Sequence, residues 1–148
     1  MASSTKDIDK GFKAFKQELQ RAKNATVEIG IHQDAMNDGL SIAEYAAYNE
    51  FGTVDIPERS FMRSTFDEKQ SQINADMAKR YDQVKTGKIG VHRALSLIGL
   101  RHAQDIQDKI GSNIQPANSE ATVARKKSTK TLIDTGAMRQ SIRHVVKL

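Results

Sequence analysis

The chain has 148 residues, 38% of them hydrophobic, and no cysteine; this fits a single domain with a real core and excludes disulfides and thiolate–metal sites. No apolar run approaches the roughly 18 residues of a membrane span, and the first residues lack the apolar core of a signal peptide, so a soluble chain used where it is made is expected. The net charge of +5 hides a polarity: Met1 to Ala78 carries 9 basic and 13 acidic residues, Lys79 to Leu148 carries 14 and 5.

Ser4 is placed to cap a first helix, with Asp7 in its first turn. Ile8, Phe12, Phe15, Leu19 and Ala22 then recur at helical spacing, through Gly11, to an end near Asn24. Thr26 to His32 switches to period two, with Val27, Ile29 and Ile31 on one face of a strand. Gln33 to Leu40, with Asn37-Asp38-Gly39, is a polar surface loop. Ser41-Ile-Ala-Glu44 is a capping box that opens a short helix, and Gly52 supplies its left-handed stop after Phe51. Pro57 keeps Ile56 extended, and Ser60 is placed to cap the next helix. Met62, Phe66, Ile73, Met77 and Val84 mark one apolar face of that helix up to Gly87. Val91, Leu95, Ile98, His102, Ile106 and Ile110 mark a second long helix, in which Gly99 permits close approach of another helix. Together these two read as an antiparallel pair.

From residue 112 to 131 the pattern dissolves into an exposed, flexible segment with a short helix over 120–127, its basic run Arg125-Lys126-Lys127 and Lys130 suited to an acidic contact. Asp134 and Thr135 cap a turn in which Gly136 supplies a permissive backbone. Ile142 to Leu148 alternates as a strand that would pair with the first. The fold class expected is therefore α+β: one domain over 1–148, a small antiparallel sheet and several helices.

Nothing in the residues calls for a metal or cofactor. The four histidines, His32, His92, His102 and His144, have no ligand spacing and read as half-buried hydrogen-bonding groups. Leu132-Ile-Asp-Thr-Gly-Ala137 resembles the loop of retroviral-type aspartic proteases, where two such loops share a proton. Its context differs, since a mostly helical hundred residues precede it, so a protease remains an alternative. Between Lys23 and Arg59 lie seven acidic residues and no Lys or Arg. The charge polarity has three readings: a basic surface facing a polyanion such as DNA, an acidic face meeting a neighbour's basic face, or solvated surface.

Three segments taken together resemble the virion-morphogenesis proteins of tailed bacteriophages. Ile42 to Thr53 is similar to their A-x-x-x-E-F-G-T signature. Ile56 to Arg63 is similar to the I-P-x-R-P-F-[LM]-R that follows, with Ser60 where proline is usual. Leu132 to Ile142 is similar to P-L-I-D-T-G-x-L-x-x-S-I, with Thr131 in place of proline, and Thr122 with Arg125-Lys126 echoes a T-x-x-x-[RK]-K piece. The family comprises head–tail joining, tail-completion, tail-terminator and minor tail proteins. The resemblance implies a non-enzymatic virion component, assembled in the host cytoplasm as a ring, usually sixfold, where head connector and tail tube meet. Its partners would be copies of itself, those neighbours and, in the lumen, DNA. On that reading the acidic loop and junction of one subunit would meet a neighbour's basic C-terminal region, with contacts expected among Asp38, Glu44, Tyr48, Glu50, Phe51, Pro57, Glu58, Arg59, Arg63, Arg125, Lys126, Lys127, Lys130 and Arg139. Gly52, Asp134, Thr135 and Gly136 are expected as turn residues.

Overall fold

The alternation of Val27, Ile29 and Ile31 forms a strand, β1 (Thr26–Ile31), which pairs antiparallel with the last one, β4 (Ile142–Lys147), in the register Thr26↔Lys147 to Ile31↔Ile142. The structure, a computed structural model, describes residues 11–126 and 128–148. In chain order the other elements are α1 (Phe12–Ala22), the two-residue strands β2 (Met36–Asn37) and β3 (Leu40–Ser41), α2 (Ile42–Phe51), α3 (Met62–Lys85), α4 (Val91–Gly111), α5 (Glu120–Lys126) and α6 (Ala137–Gln140). The expected α+β class holds, with a second small sheet formed by β2 and β3. No helix among the described residues is long and apolar enough to cross a membrane.

Helices α3 and α4 pack as the expected antiparallel pair. Glu68 meets Lys109 at 2.5 Å, Lys69 meets Asp105 at 4.0 Å and Asp76 meets Arg101 at 3.1 Å, so partners fall in number along α4 as they rise along α3. The apolar stripe of α4 buries Val91, Ile98, Ile106 and Ile110 under the sheet, and α4 contacts both β1 and β4. Gly99 lies where close approach was expected, but the visitor is a strand. A Cβ there would sit 2.6 Å from Cγ of His144. Ile42, Ala46, Phe61, Ala103, Ile106, Ile110, Leu132, Met138 and Ile142 form one buried core.

Several expectations need correction. Among the described residues the first helix, α1, begins after Gly11, which stands at φ 99, and it has no buried residue: Phe12 is 71% exposed. Ser4, Asp7, Ile8 and Lys127 lie outside the described residues. The stripe on α3 exists but is only partly covered, since Phe66 and Met77 are each more than half exposed. They line an open, mainly apolar groove of about 730 Å³ between β1, α3 and α4. Gln33 to Leu40 is not a featureless loop; it carries the β2–β3 hairpin with Asp38 at φ 49 and Gly39 at φ 79.

The described residues of segment 112–131 are largely exposed and hydrogen-bonded at several points. Asn113 Oδ1 accepts from Thr131 N at 2.9 Å, Asn118 Nδ2 donates to Thr131 O at 3.2 Å, and Thr131 itself is buried.

Candidate functional site

The α2–α3 corner is organised by one carboxylate. Helix α2 starts at Ser41, whose hydroxyl accepts from Glu44 N at 3.3 Å. The reciprocal half of the box is absent, because Glu44 accepts instead from the Tyr48 hydroxyl at 2.5 Å. At the far end of α2, Glu50 turns inward and is 3% exposed. Its carboxylate accepts from the backbone amides of Phe61 (2.7 Å), Met62 (2.8 Å) and Arg63 (2.9 Å), from Ser60 Oγ (3.0 Å) and from Arg63 Nε (3.1 Å).

These amides are the donors that a helix leaves unpaired in its first turn, and the positive end of the α3 dipole lies beside them. Burial works against the charged form of Glu50, but the bonds from Met62, Arg63 and Ser60 outweigh it and hold the carboxyl below its ordinary value. Ser60 therefore does not cap α3, as its position had implied; it donates to the residue that does. An equivalent arrangement serves α4, where Glu18 of α1 accepts from Val91 N at 2.9 Å. Both long helices are capped by a glutamate from another helix.

The rest of the corner locks this clasp. Gly52, at φ 75, lets the chain cross so closely that a Cβ would lie 3.0 Å from Glu58 N. Arg63 reaches back to Glu50 O (2.8 Å) and Glu58 (2.7 Å), with its guanidinium 4.8 Å from the Phe51 ring centroid. Arg59 is 6% exposed; its Nε and Nη2 donate to the carbonyls of Pro116 (2.8 Å) and Ala117 (3.3 Å). Thus Arg59 fastens segment 112–131 to the corner.

The expected contact residues divide accordingly. Glu50 cannot serve as a surface contact because it is buried, and Arg59 is nearly so. Arg139 is engaged at home, donating to Gln107 O at 2.9 Å, and Lys130 donates to Gly111 O at 3.2 Å. Tyr48, Phe51, Val54, Pro57 and Glu58 remain exposed on α2 and the loop after it, with Val54 fully so. Asp38 is exposed at the hairpin tip, and Arg125 is exposed on α5 beside half-buried Lys126.

Part of the charge polarity along the sequence is cancelled in space. Glu28 pairs with Lys147 at 2.5 Å across β1–β4, and Asp34, in the turn after β1, pairs with Arg143 of β4. Of the seven acidic residues between Lys23 and Arg59, only Asp38, Glu44 and Asp55 have no cationic partner among the described residues.

Asp134 is exposed in the loop before α6; Thr135 Oγ1 accepts from Ala137 N at 3.3 Å and Gly136 takes φ 84. The turn bond comes from Thr135, not from Asp134. His102 is buried between two carboxylates, with Nδ1 2.9 Å from Asp105 and Nε2 3.6 Å from Asp76. Periodicity placed it on the apolar stripe but gave no sign of the acids beside it. Among the described residues no group of three His, Cys, Asp or Glu could hold a metal ion. No protein-family model, curated protein or solved structure matches the chain.

Proposed function

We propose that this chain is a structural virion protein of a tailed bacteriophage, one subunit of a ring at the head–tail junction. It would act there as a tail-completion, tail-terminator or head–tail joining component. The observation that supports this reading most is the convergence of the three resembling segments. Residues 42–53, 56–63 and 132–142 lie far apart in sequence, yet they supply Ile42, Ala46, Phe61, Leu132, Met138 and Ile142 to a single core. The glutamate, glycine and arginine of the first two segments serve one clasp. Motif residues with such architectural duties suit a protein that acts by shape.

The exposed side of α2 and its following loop, with Tyr48, Phe51, Val54 and Pro57, offers aromatic and apolar contact area of the kind enriched at subunit interfaces. Arg125 and Lys126 offer a basic counterpart, and DNA in the lumen would be contacted without sequence reading. Phage assembled without this protein tests the reading by electron microscopy. Full heads beside complete, separate tails indicate a joining role, and overlong tails indicate a terminator. Normal virions from such an assembly would overturn it.

A further inference from the structure

Beside Arg59 lies a recess of about 580 Å³, walled by Ile56, Pro57, Ala117, Arg125 and Lys126 as well as Arg59 itself. Three cations meet here, and none forms an ion pair among the described residues. Arg59 spends Nε and Nη2 on backbone carbonyls, which leaves Nη1 with no acceptor among the described residues. Lys126 Nζ likewise rests on the carbonyls of Thr131 (3.0 Å) and Lys130 (3.3 Å). Asp55 stands at the rim and the field of Asp134 reaches Lys126, yet neither carboxylate closes on a cation.

Burial pushes the Arg59 guanidinium below its ordinary value. It does the same to Lys126, where Asp134 opposes the shift and Arg59 and Arg125 add to it. Charges withdrawn from water are normally matched by an opposite charge, because carbonyl dipoles offset only part of the desolvation cost.

We propose that this recess is a receptor for a carboxylate side chain carried by a protruding acidic segment of another protein chain. A carboxylate suits the free edge of a guanidinium and completes its hydrogen bonding. The apolar walls Ile56, Pro57 and Ala117 give the flanking residues of such a segment something to pack on. Duplex DNA fits less well, since phosphates on a convex helix are met by protruding cations, whereas Arg59 is withdrawn. The recess shares Pro57, Arg125 and Lys126 with the contact surface of the ring reading but requires no ring, so either can fail alone.

Fluorescence anisotropy on the full chain tests it, with a labelled Glu-Ala-Glu-Ala-Glu peptide as the probe and its Gln counterpart as control. The Glu peptide binds, and the Gln peptide does not. Arg125→Gln combined with Lys126→Gln weakens binding about tenfold or more, while the exposed Lys79→Gln on α3 leaves it unchanged. Arg125→Gln alone, at an exposed position, gives a smaller loss with an unaltered melting temperature, which separates site loss from unfolding. Absence of peptide binding, equal loss from Lys79→Gln, or tighter competition by a short DNA duplex than by unlabelled peptide would each overturn the proposal.

Discussion

The α2–α3 corner and the groove between β1 and α3 use opposite means to similar ends. At the corner, polar groups go inside: the Glu50 carboxylate, the Arg59 guanidinium and several amides are packed together, with half-exposed Arg63 closing over them. At the groove, apolar groups stay outside: Phe66 and Met77 are 56% and 52% exposed on a helix that buries only Thr65 and Asp76. A buried polar network fixes one geometry, because each unmet bond is costly. An open apolar groove fixes little within the subunit. The corner therefore carries the shape of the chain, and the groove is free to vary without unfolding it.

That contrast is broken most severely at Glu50. Replacement by Ala leaves the first-turn amides of α3 and Arg63 Nε without their acceptor, and a loss of about 3–5 kcal/mol is expected in urea unfolding. Phe61→Ala, which empties a fully buried site under the same corner, is expected to cost a comparable ~3–5 kcal/mol.

The pH dependence sharpens the assignment. The Glu50 carboxyl titrates lower when folded than when unfolded, so its contribution is fully present above the unfolded value and is lost as pH falls through the folded one. Acid titration of stability should fall below about pH 4 in the parent chain, and Glu50→Gln should flatten that part of the curve. Ser60→Ala removes one bond to the carboxylate, with an expected cost of about 1 kcal/mol. At the groove, Phe66→Ser should change monomer stability by only about 0.5 kcal/mol or less. Lys147→Gln, at an exposed pair with Glu28, should also stay within ~1 kcal/mol.

Much of this fold was legible because it rests on local periodicity. The stripe of α4, the alternation in β1 and β4, and a glycine stop at Gly52, at positive φ, are all written in consecutive residues. The helix caps were not. Ser60 looked like the cap of α3 because it stood next to the helix, whereas the carboxylate that does the work comes from eleven residues earlier, and the cap of α4 comes from Glu18 in α1. Gly99 shows the same limit, since its spacing announced a close approach but not that His144 would make it. Charge counting misled for a related reason. A sequence can tally Glu28, Asp34, Arg143 and Lys147, but only the pairing of β1 with β4 brings Lys147 to Glu28 and Arg143 within reach of Asp34. Nor could composition reveal that Arg59 would be withdrawn onto the carbonyls of Pro116 and Ala117, which is what creates the recess beside it.

The proposal that this chain works as shaped architecture at the head–tail junction is tested most directly by locating it in the assembled particle. Electron cryomicroscopy of purified virions should show copies of it as a closed ring between head and tail, with Tyr48, Phe51 and Val54 covered at the contact. Particles that lack the protein, or that carry it as isolated single subunits away from that junction, would contradict the account.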